Sequence, residues 1–143
     1  MTPTVRMLVS TTLAAALPVA ALADTLRIAV PADPGYLDPA YAGSSSEWVL
    51  IDNLYPRLAK YVAGDDWTVE LDAARSVDLS DPANIAFELT PGIMWSGGYG
   101  ELTAEDVEYS YERHINPDLE SALAPEYALL TDVEVTGKYT GII

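Results

Sequence analysis

Cysteine is absent from the 143 residues, histidine occurs once and phenylalanine once, and seven basic residues stand against 22 acidic ones. Each scarcity removes a class of chemistry. Without cysteine there is no disulfide framework, no thiol nucleophile, no thiolate metal site and no lipid-modified cysteine behind a leader. A single imidazole, His114, makes a zinc site untenable, and its place at the end of a helical pattern gives it a role as a dipole-compensating cap. A formal charge of −15 repels phosphate, so nucleic acid and anionic membrane surfaces are not expected partners. The simplest work for that charge is solubility. No phosphate loop is present: Gly97, Gly98 and Gly100 lack a following lysine-serine pair. Ser44-Ser45-Ser46 lacks the flanking glycines of a hydrolase elbow. Adjacent carboxylates such as Asp65-Asp66 and Glu105-Asp106 arise by chance among so many acids, and no calcium-loop spacing occurs. No cofactor is expected, and nothing in these residues argues for an enzyme.

The amino terminus is unlike the rest. Residues 1–7 carry Arg6 and no acid, residues 8–22 are apolar or small, and Ala21-Leu22-Ala23 gives a small-x-small exit before Asp24. This pattern predicts a secretory signal peptide over residues 1–23, cleaved between Ala23 and Asp24. A membrane anchor is the competing reading, but the run is short, Pro18 interrupts it and no basic flank follows. Cleavage removes one basic residue and no acid, leaving about 120 residues, enough for one modest core. An exported protein without a lipid anchor diffuses freely, which points to a periplasm.

Along the mature chain, Leu26, Ile28 and Val30 alternate with Arg27 and Ala29 as a strand does. Pro31, Pro34, Gly35 and Pro39 then impose a rigid loop. Ser44 followed by Glu47 reads as a capping box, and Trp48, Ile51, Tyr55 and Leu58 give one apolar helical face, with Pro56 predicting a break near residues 53–55. Trp67 and Val69 fit a strand, residues 80–84 a turn, and Ile85, Phe87 and Leu89 a second clear strand. Thr103 and Asp106 form another capping box; Val107 and Tyr111 continue that helix, with Arg113 and His114 at its negative end and Asn116-Pro117 as its stop. Val133 to the terminus reads as a hairpin turning at Thr136-Gly137-Lys138. Three tryptophans and nine tyrosines against one phenylalanine favour rings with polar tips, which suit a wet binding cleft as well as a core.

The order of these segments resembles the bacterial extracellular solute-binding family, of the family 5 type, that feeds ATP-driven importers of peptides, nickel and related solutes. The residues that carry the resemblance are the opening strand, the loop ending in Leu37-Asp38-Pro39, and Asn53-Leu54-Tyr55. They continue with the strand closing on Pro91-Gly92, Met94-Trp95-Ser96-Gly97, and above all Leu102-Thr103-Ala104-Glu105-Asp106-Val107 with Tyr109-Ser110 and Glu112-Arg113. The departures are Val77 where tryptophan is common, Pro56, and a turn near residues 81–84 one residue shorter, with Asn84 supplying its left-handed position.

The resemblance implies an α/β fold in which residues 24–143 form the amino-terminal part of the first lobe of a two-lobed periplasmic binding protein, a mixed sheet with flanking helices, the second lobe being absent. Two explanations of the length stay open, a piece of a longer protein or a shortened gene product. The implied function is the periplasmic substrate-binding component of an uptake transporter, monomeric, taking a peptide or small-molecule ligand and partnered by a membrane permease and its ATPase. An exported carboxylate-dependent hydrolase and a small exported structural protein are the alternatives. In such a family the loop of residues 31–39 and the start of the next helix face the opposite lobe, so Asp33, Tyr36 and Ser45 are the candidate ligand contacts. The competing reading has Tyr36 packing over the lobe and Asp33 capping a turn. The leader gives a direct expectation: mass spectrometry of the exported protein finds Asp24 at its amino terminus, and a start well inside residues 26–42 contradicts the assignment.

Overall fold

A computed structural model describes Thr25, residues 27–64 and residues 67–143. The expected leader, its Ala23–Asp24 junction and the Asp65-Asp66 pair lie outside the described residues. Helix α1 spans Ser45–Leu54, and a short hairpin of β1 (Ala59–Tyr61) and β2 (Val69–Leu71) follows. Strands β3 (Ala74–Asp78) and β4 (Ala86–Leu89) lead to helix α2 (Ala104–Ile115), and β5 (Glu134–Gly137) and β6 (Thr140–Ile142) complete the chain. Single 3₁₀ turns lie at Ser96–Gly98, Pro117–Leu119 and Ala124–Tyr127. Strands β3, β4, β6 and β5 form one sheet in that order. Every pairing among the described residues is antiparallel, in registers such as Val77 opposite Phe87 and Phe87 opposite Gly141. No helix among them is long and apolar enough to cross a membrane.

Both capping boxes are in place. At α2, Asp106 Oδ2 accepts the Thr103 N–H at 2.7 Å and the Thr103 hydroxyl at 3.1 Å, satisfying a donor that the helix leaves unpaired. Helix α1 stops where Pro56 requires: Tyr55 is extended, φ −117° and ψ 136°, because the proline ring crowds a helical predecessor. The alternating strand at residues 86–89 buries Phe87 and Leu89, and with Ala73, Leu102, Ala104, Val107 and Val133 they make the core between the sheet and α2. The carboxyl-terminal hairpin forms with its turn at Lys138 and Tyr139, slightly later than the Gly137-centred turn expected. Glu101 ties this hairpin to the turn before α2: its carboxylate accepts Gly92 N–H at 2.6 Å, the Tyr139 hydroxyl at 2.9 Å and Lys138 Nζ at 2.7 Å. Lys138 foremost, then Gly92 and Tyr139, hold the Glu101 carboxyl down at about 2.

Two local expectations fail. The described part of the opening segment, residues 27–30, pairs with no strand, and Ile28 is 70% exposed. Alternation supplies the right side chains, but a strand also needs a neighbour for its N–H and C=O groups, and none of the described residues provides one. Asn84 is not left-handed; positive φ outside glycine occurs, among described residues, at Trp67 and Glu120. The turn closes instead through Asp81, whose side chain accepts from Ala83 N–H at 3.0 Å and Asn84 Nδ2 at 2.9 Å.

Gly141 is demanded by packing. A Cβ there would lie 2.6 Å from Phe87 Cζ and 2.8 Å from the Glu134 carbonyl oxygen. Gly141→Ala is therefore expected to destabilise the chain by about 1–3 kcal/mol, the range for overfilling a packed site. Urea unfolding checks this, and an unchanged midpoint would contradict the packing described.

Candidate functional site

The loop of residues 31–44 crosses the amino-terminal end of α1, and its prolines remove conformations but do not by themselves give it a shape. The shape comes from Glu47. This side chain is 6% exposed, and its carboxylate accepts four backbone N–H groups. Oε1 takes Gly35 and Tyr36, both at 3.0 Å; Oε2 takes Gly43 and Ser44, both at 2.9 Å. The Gly43 N–H foremost, then the Ser44 side chain, with the N–H groups of Ser44 and Tyr36, lowers the Glu47 carboxyl to about 2, against the cost of its burial. Ser46, also buried, accepts Ala32 N–H through Oγ at 3.4 Å. One turn of helix thus holds both ends of the loop.

The middle of the loop is tied to α2. Arg113 forks onto Asp38, Nη1 to Oδ1 at 3.0 Å and Nη2 to Oδ2 at 2.6 Å. Asp38 also accepts Ala40 N–H at 3.0 Å, closing a turn on itself. The Arg113 hydrogen bond, partly opposed by burial, lowers the Asp38 pKa. Beside it, the Ala40 carbonyl accepts Ala122 N–H at 2.9 Å and the Ser121 hydroxyl at 3.0 Å. His114 Nδ1 lies 2.8 Å from that same hydroxyl. Since the single hydroxyl proton is spent on Ala40, Nδ1 is the donor of this pair. The imidazole is buried, stacks on Tyr127 with ring centroids 4.2 Å apart, and has its pKa lowered, mainly by desolvation and then by Arg113.

This arrangement corrects the reading of the α2 carboxyl end. His114 is held neutral by burial and so serves as a hydrogen-bond donor and packing surface instead of a cationic cap. Arg113 lies in the last turn, but its guanidinium planes onto Asp38, because a bidentate carboxylate pair satisfies the fork better than exposed helix carbonyls.

Asp33, Tyr36 and Ser45 are all exposed, and the bonds just described gather their backbones around the first turn of α1. Tyr36 is 58% exposed although its N–H is bonded to the buried carboxylate, and its ring lies 5.9 Å from that of Tyr41. Tyr36 is therefore not buried over the lobe. A separate hollow of about 740 Å³ lies between α1, the sheet and α2, lined by core side chains such as Ile51, Leu89 and Val107, and includes none of the three. The Gly43 and Ser44 N–H groups just before α1 are taken by Glu47, so neither is open to an anion. Sequence reasoning found Glu47 only as the partner of Ser44; its grip on Gly35 and Tyr36, and the Asp38–Arg113 and Ser121–Ala40 ties, carry no local signal.

No family model matches the chain, and no curated protein does. Solved structures do. The binding protein MoaA of A. tumefaciens, in complex with mannopinic acid, is similar with TM-score 0.68 and 33% identity over 75% of this chain and 22% of its own. The oligopeptide-binding protein AppA of Bacillus subtilis, in complex with a nonapeptide, gives 0.66 and 25% over 73% of this chain and 20% of its own. NikZ of Campylobacter jejuni, in complex with Ni(L-His), shares the fold with TM-score 0.68 at 21% identity, over 78% of this chain and 22% of its own. The chain spans about a fifth of the length of these relatives. The matched architecture is part of one lobe of a two-lobed binding protein.

The fork between loop and α2 has a measurable consequence. Arg113→Lys replaces two parallel bonds by a point charge, and with Asp38 39% exposed the loss is discounted for solvent. Destabilisation of roughly 1 kcal/mol is expected, in the range of a charged hydrogen bond after that discount. Chemical denaturation at pH 7 checks it; a lysine variant as stable as the parent would show that the bidentate geometry contributes nothing.

Proposed function

We propose that this chain, which belongs to the bacterial extracellular solute-binding family of the peptide- and nickel-binding class, is part of a receptor that captures a small solute for an ATP-driven importer. In this reading residues 1–23 direct export and residues 24–143 form the amino-terminal part of the first lobe, facing the periplasm as a monomer. The solute is a peptide or a small molecule such as an opine, the classes carried by the AppA and MoaA structures. A membrane permease with its ATPase takes the solute on, and lobe closure buries it.

The observation that carries the reading is the exposed Tyr36 on a backbone fixed from behind. A loop that served only to connect would not need a buried carboxylate to set its path. Ordering the loop before a ligand arrives lowers the entropy that binding costs. Asp33 and Ser45 lie at the same end of α1 and complete the proposed contact set.

Calorimetry on the full chain, with a nonapeptide and with mannopinic acid as probes, tests this. Tyr36→Ala is expected to weaken binding by about tenfold, equivalent to about 1.4 kcal/mol, with the melting temperature of the unliganded chain unchanged. Equal affinity for parent and variant removes Tyr36 from the site, and a large loss of stability reassigns it to packing. Turnover of either probe instead of retention contradicts a binding role.

A further inference from the structure

We propose that Glu47 is the positioning residue of this site: its carboxylate, as acceptor of four backbone N–H groups, sets the path of the loop that presents Asp33 and Tyr36. This rests on the reading of the loop as a ligand surface and adds to it the residue that gives the surface its form.

Three features separate this role from ordinary helix capping. A capping box uses the glutamate to take the N–H of the cap residue, here Ser44. Glu47 does that with Oε2 and then turns its other oxygen to a segment eleven and twelve residues earlier, at Tyr36 and Gly35. Second, Gly35 is matched to it: a Cβ at Gly35 would lie 3.2 Å from Oε1, tighter than side chains ordinarily approach. Third, the group is buried among donors, four backbone N–H groups and the Ser44 side chain. An ionised carboxylate has two oxygens with lone pairs for four donors; a glutamine has one oxygen and an NH₂ group, which would meet two of those donors head on. The isosteric variant therefore keeps volume and loses one prong pair.

Loop closure between residues 35 and 44 is consequently conditional on the charge of one group. As pH falls from the ordinary glutamate value of 4.5 the contribution declines, and the closure is lost as the folded carboxylate takes its proton near about 2. The folded pKa is the depressed one, so the contribution is full above 4.5 and declines below it.

Amide hydrogen exchange by NMR on the full chain reads this without any ligand. In the parent, the amides of Gly35, Tyr36, Gly43 and Ser44 are protected, and their signals move together as pH falls toward about 2. In Glu47→Gln, one amide pair, Gly35 with Tyr36 or Gly43 with Ser44, exchanges at least about tenfold faster while Leu89, deep in the core, is unaffected, the pattern of a local opening. Gly35→Ala, which presses on Oε1 alone, gives a milder version at Gly35 and Tyr36 and provides the comparison should the glutamine variant not fold. Unchanged exchange at all four amides overturns the proposal, and so does an equal acceleration at Leu89, which would make Glu47 a general stabiliser. Nonapeptide titration of the same proteins separates the two claims. Loosened amides with binding weakened about tenfold, matching the loss expected for Tyr36→Ala, support both. Loosened amides with unchanged nonapeptide affinity leave Glu47 as the positioning residue and defeat the ligand reading of the loop.

Discussion

A carboxylate removed from water is costly unless hydrogen bonds replace the solvent, and Glu47 meets that requirement with four backbone N–H groups. The dependence runs both ways. The group stays ionised because donors surround it, and the donors stay where they are because the charge holds them. Apolar burial could not do this work here. The hydrophobic residues buried in the loop are Ala40 and Ala42, whose small side chains offer little area, and burial favours compactness without selecting a path. Directional bonds to one acceptor select it.

From this point the rest of the lobe is attached through polar ties of a similar kind. Asp38 and Ala40, in the middle of the loop, bond to Arg113 and Ser121 on and just after α2, 75 and 81 residues away in sequence. Arg113 and His114 are neighbours at the end of one helix yet do opposite work. The guanidinium, part-exposed, remains charged and pairs with a carboxylate. The imidazole, buried against Tyr127, is neutral and donates through Nδ1 to a hydroxyl that passes the contact on to the Ala40 carbonyl. Placing the charge at the accessible position and the neutral ring inside avoids desolvating a second cation beside the first.

Both capping boxes, the stop at Pro56, the buried Phe87 and Leu89, and the carboxyl-terminal hairpin were legible in the sequence because each is decided within a few residues. So was the family, to which the order of the short segments along the chain pointed. The opening alternation at Leu26, Ile28 and Val30 misled, because a strand is a property of two segments and only one was visible. Asn84 misled for a smaller reason: Asp81 offered the turn a side-chain acceptor, which removed the need for a left-handed residue. Of the candidate contacts, Asp33 and Tyr36 are exposed on that loop and Ser45 on the first turn of α1. What fixed that loop was hidden, because Glu47 already had a sufficient local explanation in Ser44, and its second pair of donors lies across a turn that sequence spacing does not encode.

The same polar logic explains how a lobe with so modest an apolar core keeps an ordered edge. The fully buried side chains of any size are Leu89 and Val133, both between the sheet and α2, while the space between α1 and that layer is a hollow of about 740 Å³. Helix α1 buries only Ile51 among its large apolar residues, and leaves Val49, Leu50 and Leu54 exposed. Close packing therefore does little to locate α1. Its location relative to α2 is set through the loop: Glu47 binds α1 to residues 35–36 and 43–44, and Asp38 and Ala40 bind the same loop to α2. The loop is the bridge between the two helices as well as their exposed edge, so any side chain it presents is positioned by both.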